Sequence, residues 1–243
     1  MRALRILLIV AVVLGLLFVA VDRIAVHFAE DQAADRLRTT ENLASTPEVS
    51  INGFPFLTQV ASGELDDIKV GIESYEASTG KGEQKIRIDD LEASMKGVRF
   101  SDGYRSATAS EATGTALIAY DELLKAAKSE STQIAPGVTS QVVGLSDGGN
   151  GKIKVDVVST ILGNKVPSTV FSSVTVRDNK VRVQAEGLPE FGGVQLAEDR
   201  IRSVTDFQQT IDQLPGGIRL DSVKVAKDGL EITVKGSNVR LAG

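Results

Sequence analysis

Ser222–Lys235, "SVKVAKDGLEITVK", sets apolar and polar residues in alternation on both sides of Lys227-Asp-Gly229. Val223 and Val225 share one face of an extended chain, and Leu230, Ile232 and Val234 share a face on the return. A period of two puts successive side chains on opposite faces, so the spacing predicts strands with one buried and one wetted side. Asp and Gly tolerate the positive φ of a tight turn, so the two runs predict an antiparallel hairpin.

The same period recurs upstream. Val49 and Ile51 alternate, as do Ile68, Val70 and Ile72, then Ile86 and Ile88, then Ile153, Val155 and Val157. Val174 and Val176 face Val181 and Val183 across Asp178-Asn179, a second hairpin signal. Three windows carry a helical pattern instead. Residues 22–45 read as a stalk docked on the body, with Ile24, Phe28 and Leu37 apolar among charges. Leu117–Lys128 is a short second candidate. In Ser203–Leu214, Val204, Phe207, Ile211 and Leu214 share a face, Ser203-x-x-Asp206 resembles a capping box, and Pro215-Gly-Gly217 supplies a stop. Residues 129–137 and 187–193 read as loops. The expected fold is α+β, a curved and mostly antiparallel sheet packed by a few helices. No shift in composition marks a second domain, so residues 22–243 are expected to form one.

Composition excludes more chemistry than it suggests. The chain has no cysteine, so thiolate nucleophiles, disulfides and Cys-based metal sites are absent. Its one histidine, His27, sits just after the N-terminal apolar run, which rules out a Ser-His-Asp triad or a multi-His metal site in the body. The net charge of −5 comes without a basic block, which argues against a nucleic-acid partner. Hydrophobic residues make up 42% but aromatics only 5%, so the apolar content is aliphatic and suits strands.

The N-terminus reads as an export segment. Arg2 and Arg5 precede an uncharged run from Ile6 to Val21, "ILLIVAVVLGLLFVAV", and Asp22 and Arg23 follow it. As a helix this run rises about 24 Å, short of the roughly 30 Å hydrocarbon core. It is also slightly longer than the apolar part of a usual signal peptide. Residues 1–21 are therefore expected to be a signal peptide or signal anchor, with the body extracytoplasmic and the membrane reached through this segment. A buried helix is the competing reading.

Three further patterns invite chemistry and carry little. Gly144-Leu-Ser-Asp-Gly148 matches a nucleophile elbow, but turn and strand residues follow it and no suitable histidine exists, so a hairpin loop is expected. The same loop lacks the lysine and helix of a phosphate cradle. Asp66-Asp67 and Asp89-Asp90 place neighbours on opposite strand faces and read as solvated edge or turn positions, not dyads.

Ile51–Gln59, "INGFPFLTQ", is the unusual stretch. Pro55 removes a ladder N–H and keeps Phe54 extended, which places the segment at a strand end, bulge or sheet edge. Read as extended chain, Phe54 and Phe56 project from one side. They are then either a clamp closing one end of the core, which local geometry favours, or the rim of an apolar opening.

Gly53-Phe-Pro-Phe-Leu-Thr-Gln59, the helix after an export signal, and Leu214-Pro-Gly-Gly-Ile-Arg-Leu220 followed by "VKVAKDGLEITVKG" together resemble the LmeA-like phospholipid-binding proteins of actinobacterial envelopes. The resemblance spans about Asp22 to Leu241. It implies a TULIP-like fold, in which a curved sheet wraps a long helix around an apolar groove; the missing histidine and catalytic motif add the expectation of a non-enzymatic protein, and no cofactor is expected. It also implies a phospholipid partner, with binding or shuttling of lipid for envelope lipid or lipoglycan (mannan) assembly. Carried over by motif, the lipid-binding candidates are Phe54, Pro55, Phe56 and Leu57, and the resemblance favours the rim reading. Periodicity adds Phe100, Phe171 and Phe207 as apolar candidates. The rival is a membrane-anchored structural or interaction protein with a filled core.

Overall fold

A computed structural model of the chain describes residues 2–78, 85–103, 105–126, 131–177, 180–187, 207–210 and 217–242. The opening hairpin forms as its alternation requires: β11 (Ile218–Val225) pairs with β12 (Gly229–Ala242), with Val223 opposite Ile232 and Val225 opposite Leu230. The second hairpin joins β8 (Asn164–Arg177) to β9 (Lys180–Glu186), with Val174 opposite Val183 and Val176 opposite Val181.

Two six-stranded antiparallel sheets result, where one curved sheet was expected. The first has the order β1 (Glu48–Asn52), β2 (Glu64–Ser78), β3 (Lys85–Ser101), β4 (Ser106–Ala119), β12, β11. The second runs β10 (Phe207–Thr210), β9, β8, β7 (Lys152–Ile161), β6 (Val138–Asp147), β5 (Thr132–Ala135). Their apolar faces meet. Ile153, Val155 and Val157 of β7 pack with Leu230 of β12 and Tyr120, and Val174, Val223 and Val225 border the cluster. The alternating residues of several strand runs therefore bury one another across the two sheets.

Helix α3 (Tyr120–Ala126) locks this contact. The Tyr120 hydroxyl donates to the Ala226 carbonyl at 2.8 Å. Burial, then the nearby Asp147 and Asp228, push that hydroxyl up to about 12, so it stays a donor. Glu122 lies buried under Lys125 (2.6 Å), and its carboxylate accepts the Arg87 N–H at 3.2 Å. The expected helix at Leu117–Lys128 therefore starts later: Leu117, Ile118 and Ala119 pair with Glu231, Leu230 and Gly229 as the end of β4. Ladder bonds to β12 outweigh the helical preference there.

Two other expectations change. Residues 207–210 of the expected helix Ser203–Leu214 are strand β10, with Phe207 opposite Val183. The free edge of β9 offers ladder partners that a lone helical turn lacks. The proposed capping box and Val204, Ile211 and Leu214 lie outside the described residues. Within the expected loop 129–137, Thr132–Ala135 forms β5, and all of the loop 187–193 except Gly187 lies outside the described residues.

The remaining small motifs behave as read. The Gly144–Gly148 stretch ends β6 and enters a tight turn, where Gly148 N–H donates to the Lys152 carbonyl and Gly149 N–H to Asp147 Oδ1, each at 2.8 Å. Asp67 bonds Asn52 and Ser94, and Asp90 sits at φ +49° where the β3 register shifts. Neither aspartate pair is a dyad, although both lie on inner strands of the sheet rather than at its edge.

Candidate functional site: where the N-terminal helix meets the GFPF turn

The apolar run and the stalk are one helix, α1 (Arg2–Thr40). The helix is long and apolar enough to cross a membrane, and none of its most apolar stretch is buried. The buried-helix reading of Ile6–Val21 is thereby set aside. From Asp22 onward one face docks on the first sheet. Asp22, Val26 and Ala34 are buried, and Ala25 and Ala29 pack, like Ile51, Ile68 and Met95 of the sheet, against the cluster that holds Val26. Small residues let the helix lie close to the sheet. The expected stripe differs, because Ile24 and Phe28 face outward and only Leu37 is half-buried.

The turn after β1 is built around glycine. Gly53 has φ +106°, and a Cβ there would collide with the side chains of Gln59 and Asp66. Helix α2 (Phe56–Ser62) follows at once, and Gly63 closes it in the left-handed conformation at φ +75°. Its N-cap residue is Pro55, which has no side-chain oxygen to offer the first N–H groups.

Asp22 supplies what Pro55 lacks. Its Oδ1 accepts the Leu57 N–H at 2.8 Å, and its Oδ2 lies 2.7 Å from the Arg23 guanidinium. Burial opposes the charged form, but the N–H groups of Leu57 and Phe56 together with Arg23 outweigh it and hold the carboxyl below its ordinary value. Glu30 makes a second such contact, accepting the Ile51 N–H at 2.7 Å on the edge strand β1. Two acids on one helix face thus bond the backbone on either side of the GFPF turn.

The two rings do not project from one side. Phe56 is buried in a cluster with Val26, Leu65, Val98, Ala107 and Ala109, whereas Phe54 is 58% exposed with Arg23 5.3 Å above its ring. The cause is local: Pro55 ends the extended segment and Phe56 opens a helix, so a strand's two-residue alternation does not cross the proline. Leu57 and Phe100 are half-buried against the same cluster, and Phe100 N–H donates to the Gly63 carbonyl at 2.9 Å.

Five of the seven candidates, Phe54, Pro55, Phe56, Leu57 and Phe100, are therefore brought together. Phe171 stands apart on the second sheet, exposed over Gly148, and Phe207 belongs to β10 at that sheet's edge. Two open hollows lie elsewhere. One of about 650 Å³ is lined by polar residues including Lys69, Ser94 and Thr113, and one of about 480 Å³ by Arg219 and Lys235 among others. Neither is walled by any of the seven, and neither is an apolar groove. Among the described residues no cluster of metal-ligating side chains occurs. Sequence reading missed Asp22 and Glu30, since an acid after an apolar run reads as a membrane boundary and nothing local names its N–H partner.

Mostly antiparallel strands with a curled sheet and a long N-terminal apolar helix define an α+β protein of TULIP-like architecture, a fold class of lipid-binding domains. The family model for LmeA-like phospholipid-binding proteins matches residues 20–235, and the chain belongs to that family. No curated protein and no solved structure matches it. The family is a lipid-binding one and not a family of enzymes.

Proposed function

We propose that this protein binds phospholipid on the outer side of the membrane that its N-terminal helix enters, and passes or presents that lipid to cell-envelope lipid or lipoglycan assembly. The match of residues 20–235 to a phospholipid-binding family carries this reading. It covers the docked part of α1, the GFPF turn and most of both sheets. Residues 6–21 act as signal or anchor, and residues 22–243 are the lipid-binding body. Lipid contact is assigned first to Phe54, Pro55, Phe56, Leu57 and Phe100, which sit together where α1 leaves the body, and then to Phe171 and Phe207. Burying acyl chains needs apolar area rather than directional groups, at about 0.8 kcal/mol per CH₂.

The test is a chain beginning at Asp22, purified from a bacterial host and extracted with organic solvent for mass spectrometry. Co-purified phospholipid, and uptake of labelled phospholipid from vesicles, are the expected results. A body that is lipid-free and takes up none overturns the proposal. The structural or interaction role would then stand, consistent with Phe56 acting as a core clamp.

A further inference from the structure

The outer face of α1 stays apolar after its inner face has turned to the body. Leu17, Val21, Ile24 and Phe28 follow at i, i+4, i+7 and i+11 and are 57, 55, 71 and 68% exposed. Asp31, Gln32 and Asp35 then end the stripe on that side. Isolated exposed apolar residues are ordinary, but an unbroken stripe continuing an apolar helix is not. Ile6 to Val21 rises only about 24 Å against a hydrocarbon core of roughly 30 Å, and on the outer face Ile24 carries the apolar stripe past Val21 into the interface, with Phe28 about 6 Å further along. Phe54 reaches the same level from the body, since its ring lies under the guanidinium of Arg23, the residue before Ile24.

We propose that the α2 end of the body is seated in the membrane surface, with Ile24, Phe28 and Phe54 in contact with lipid and Arg23 among the headgroups. The occupant of this apolar surface is the bilayer itself, because the surface is continuous with the segment that enters it. Arg23 suits the boundary: its guanidinium is held by Asp22 and lies over the Phe54 ring, yet the side chain stays 48% exposed and open to headgroup phosphate. Asp22 faces away from the lipid on the docked side, buried against the α2 backbone. The arrangement fixes how the body stands: the GFPF turn is down, and the β7–β8 turn, whose Leu162 is 83% exposed at the end of β7 beyond the Ile153–Val157 contact with the first sheet, is away from the bilayer.

This seat rests on residues 6–21 entering the membrane, and the two can be tested separately. The chain has no tryptophan, so each single substitution adds the one indole of the molecule. Full-length Leu14→Trp, Phe28→Trp, Phe54→Trp and Leu162→Trp proteins are reconstituted in phosphatidylcholine–phosphatidylglycerol vesicles, with and without brominated acyl chains. Quenching of the first three, with blue-shifted emission, and none at position 162 is the expected result. Quenching of Leu14→Trp alone overturns the seat and leaves the anchor, pointing to a second copy of the chain as the cover. Loss of quenching at position 14 as well overturns both. Equal quenching at position 162 overturns the defined orientation.

Discussion

At one end of the first sheet Asp22 accepts the N–H of Leu57 at 2.8 Å; at the other Glu122 accepts that of Arg87 at 3.2 Å. Among the described residues these are the two buried acids, each carried on a helix and each paired with a basic residue close by, Arg23 or Lys125. The surroundings differ. Around Glu122 and Tyr120 the apolar side chains close on one another between two sheets. Around Asp22 the apolar surface continues outward through Ile24, Phe28 and Phe54. The same device anchors a helix in both places, but only the α2 end leaves apolar surface for something outside the chain. An acid bonded to backbone N–H groups can hold such an end together without using the apolar side chains that must stay available.

Substitution at Phe56 should break the comparison most strongly. Phe56→Ala leaves a cavity among Val26, Leu65 and Val98, and urea unfolding of the body should show a loss of about 3–5 kcal/mol. Gly53→Ala comes next. Its φ of +106° and the collision with Gln59 and Asp66 predict a loss above about 1 kcal/mol, with faster hydrogen exchange at Leu57. An unchanged midpoint would mean that the turn does not set the docking of α1.

Glu122→Gln probes the opposite end, with an expected loss of about 1 kcal/mol at neutral pH. Lys125 first, then the Arg87 N–H, hold the Glu122 carboxyl below its ordinary value. A depressed folded-state value contributes stability above the unfolded value, about 4.3, and that contribution is lost as pH falls through the folded one. The unfolding midpoint of the natural protein should accordingly fall more steeply than that of Glu122→Gln on acidification below about pH 4. Parallel titrations would remove the pair from the account of stability.

Phe54→Ser should have the smallest effect on folding, within about 0.5 kcal/mol, because the ring is exposed and its contact with Arg23 is of that size. Vesicle association of the full chain and lipid uptake by the body are where it should register. A stability loss matching that of Phe56→Ala would restore the paired-ring clamp.

Hairpins were legible because both partners of a strand pair lie within a few residues: Val223 and Ile232 need only Lys227-Asp-Gly229 between them. The apolar run was legible from composition, and the break in the strand at GFPF from its proline, but the helix that Phe56 opens was not. Strand β10 was not, because its preference for β9 over a helix depends on an edge that exists only once the second sheet has formed. The docked face of α1 was misjudged for a related reason. Large Ile24 and Phe28 look like core residues by hydropathy, whereas the sheet accepts the small Ala25, Ala29 and Ala34 that let the helix approach.

By itself, then, the sequence determined the strand faces, the β8–β9 and β11–β12 hairpins, the apolar N-terminal segment and the absence of thiol or multi-histidine chemistry. Each follows from local periodicity, turn conformation or composition. Tertiary structure alone decided that the strands divide into two sheets, that Phe56 turns inward while Phe54 turns outward, and that Asp22 caps a helix 35 residues further along the chain. Those outcomes depend on partners far apart in sequence, and a buried carboxylate or an unpaired N–H gains its meaning only when the fold brings the other to it.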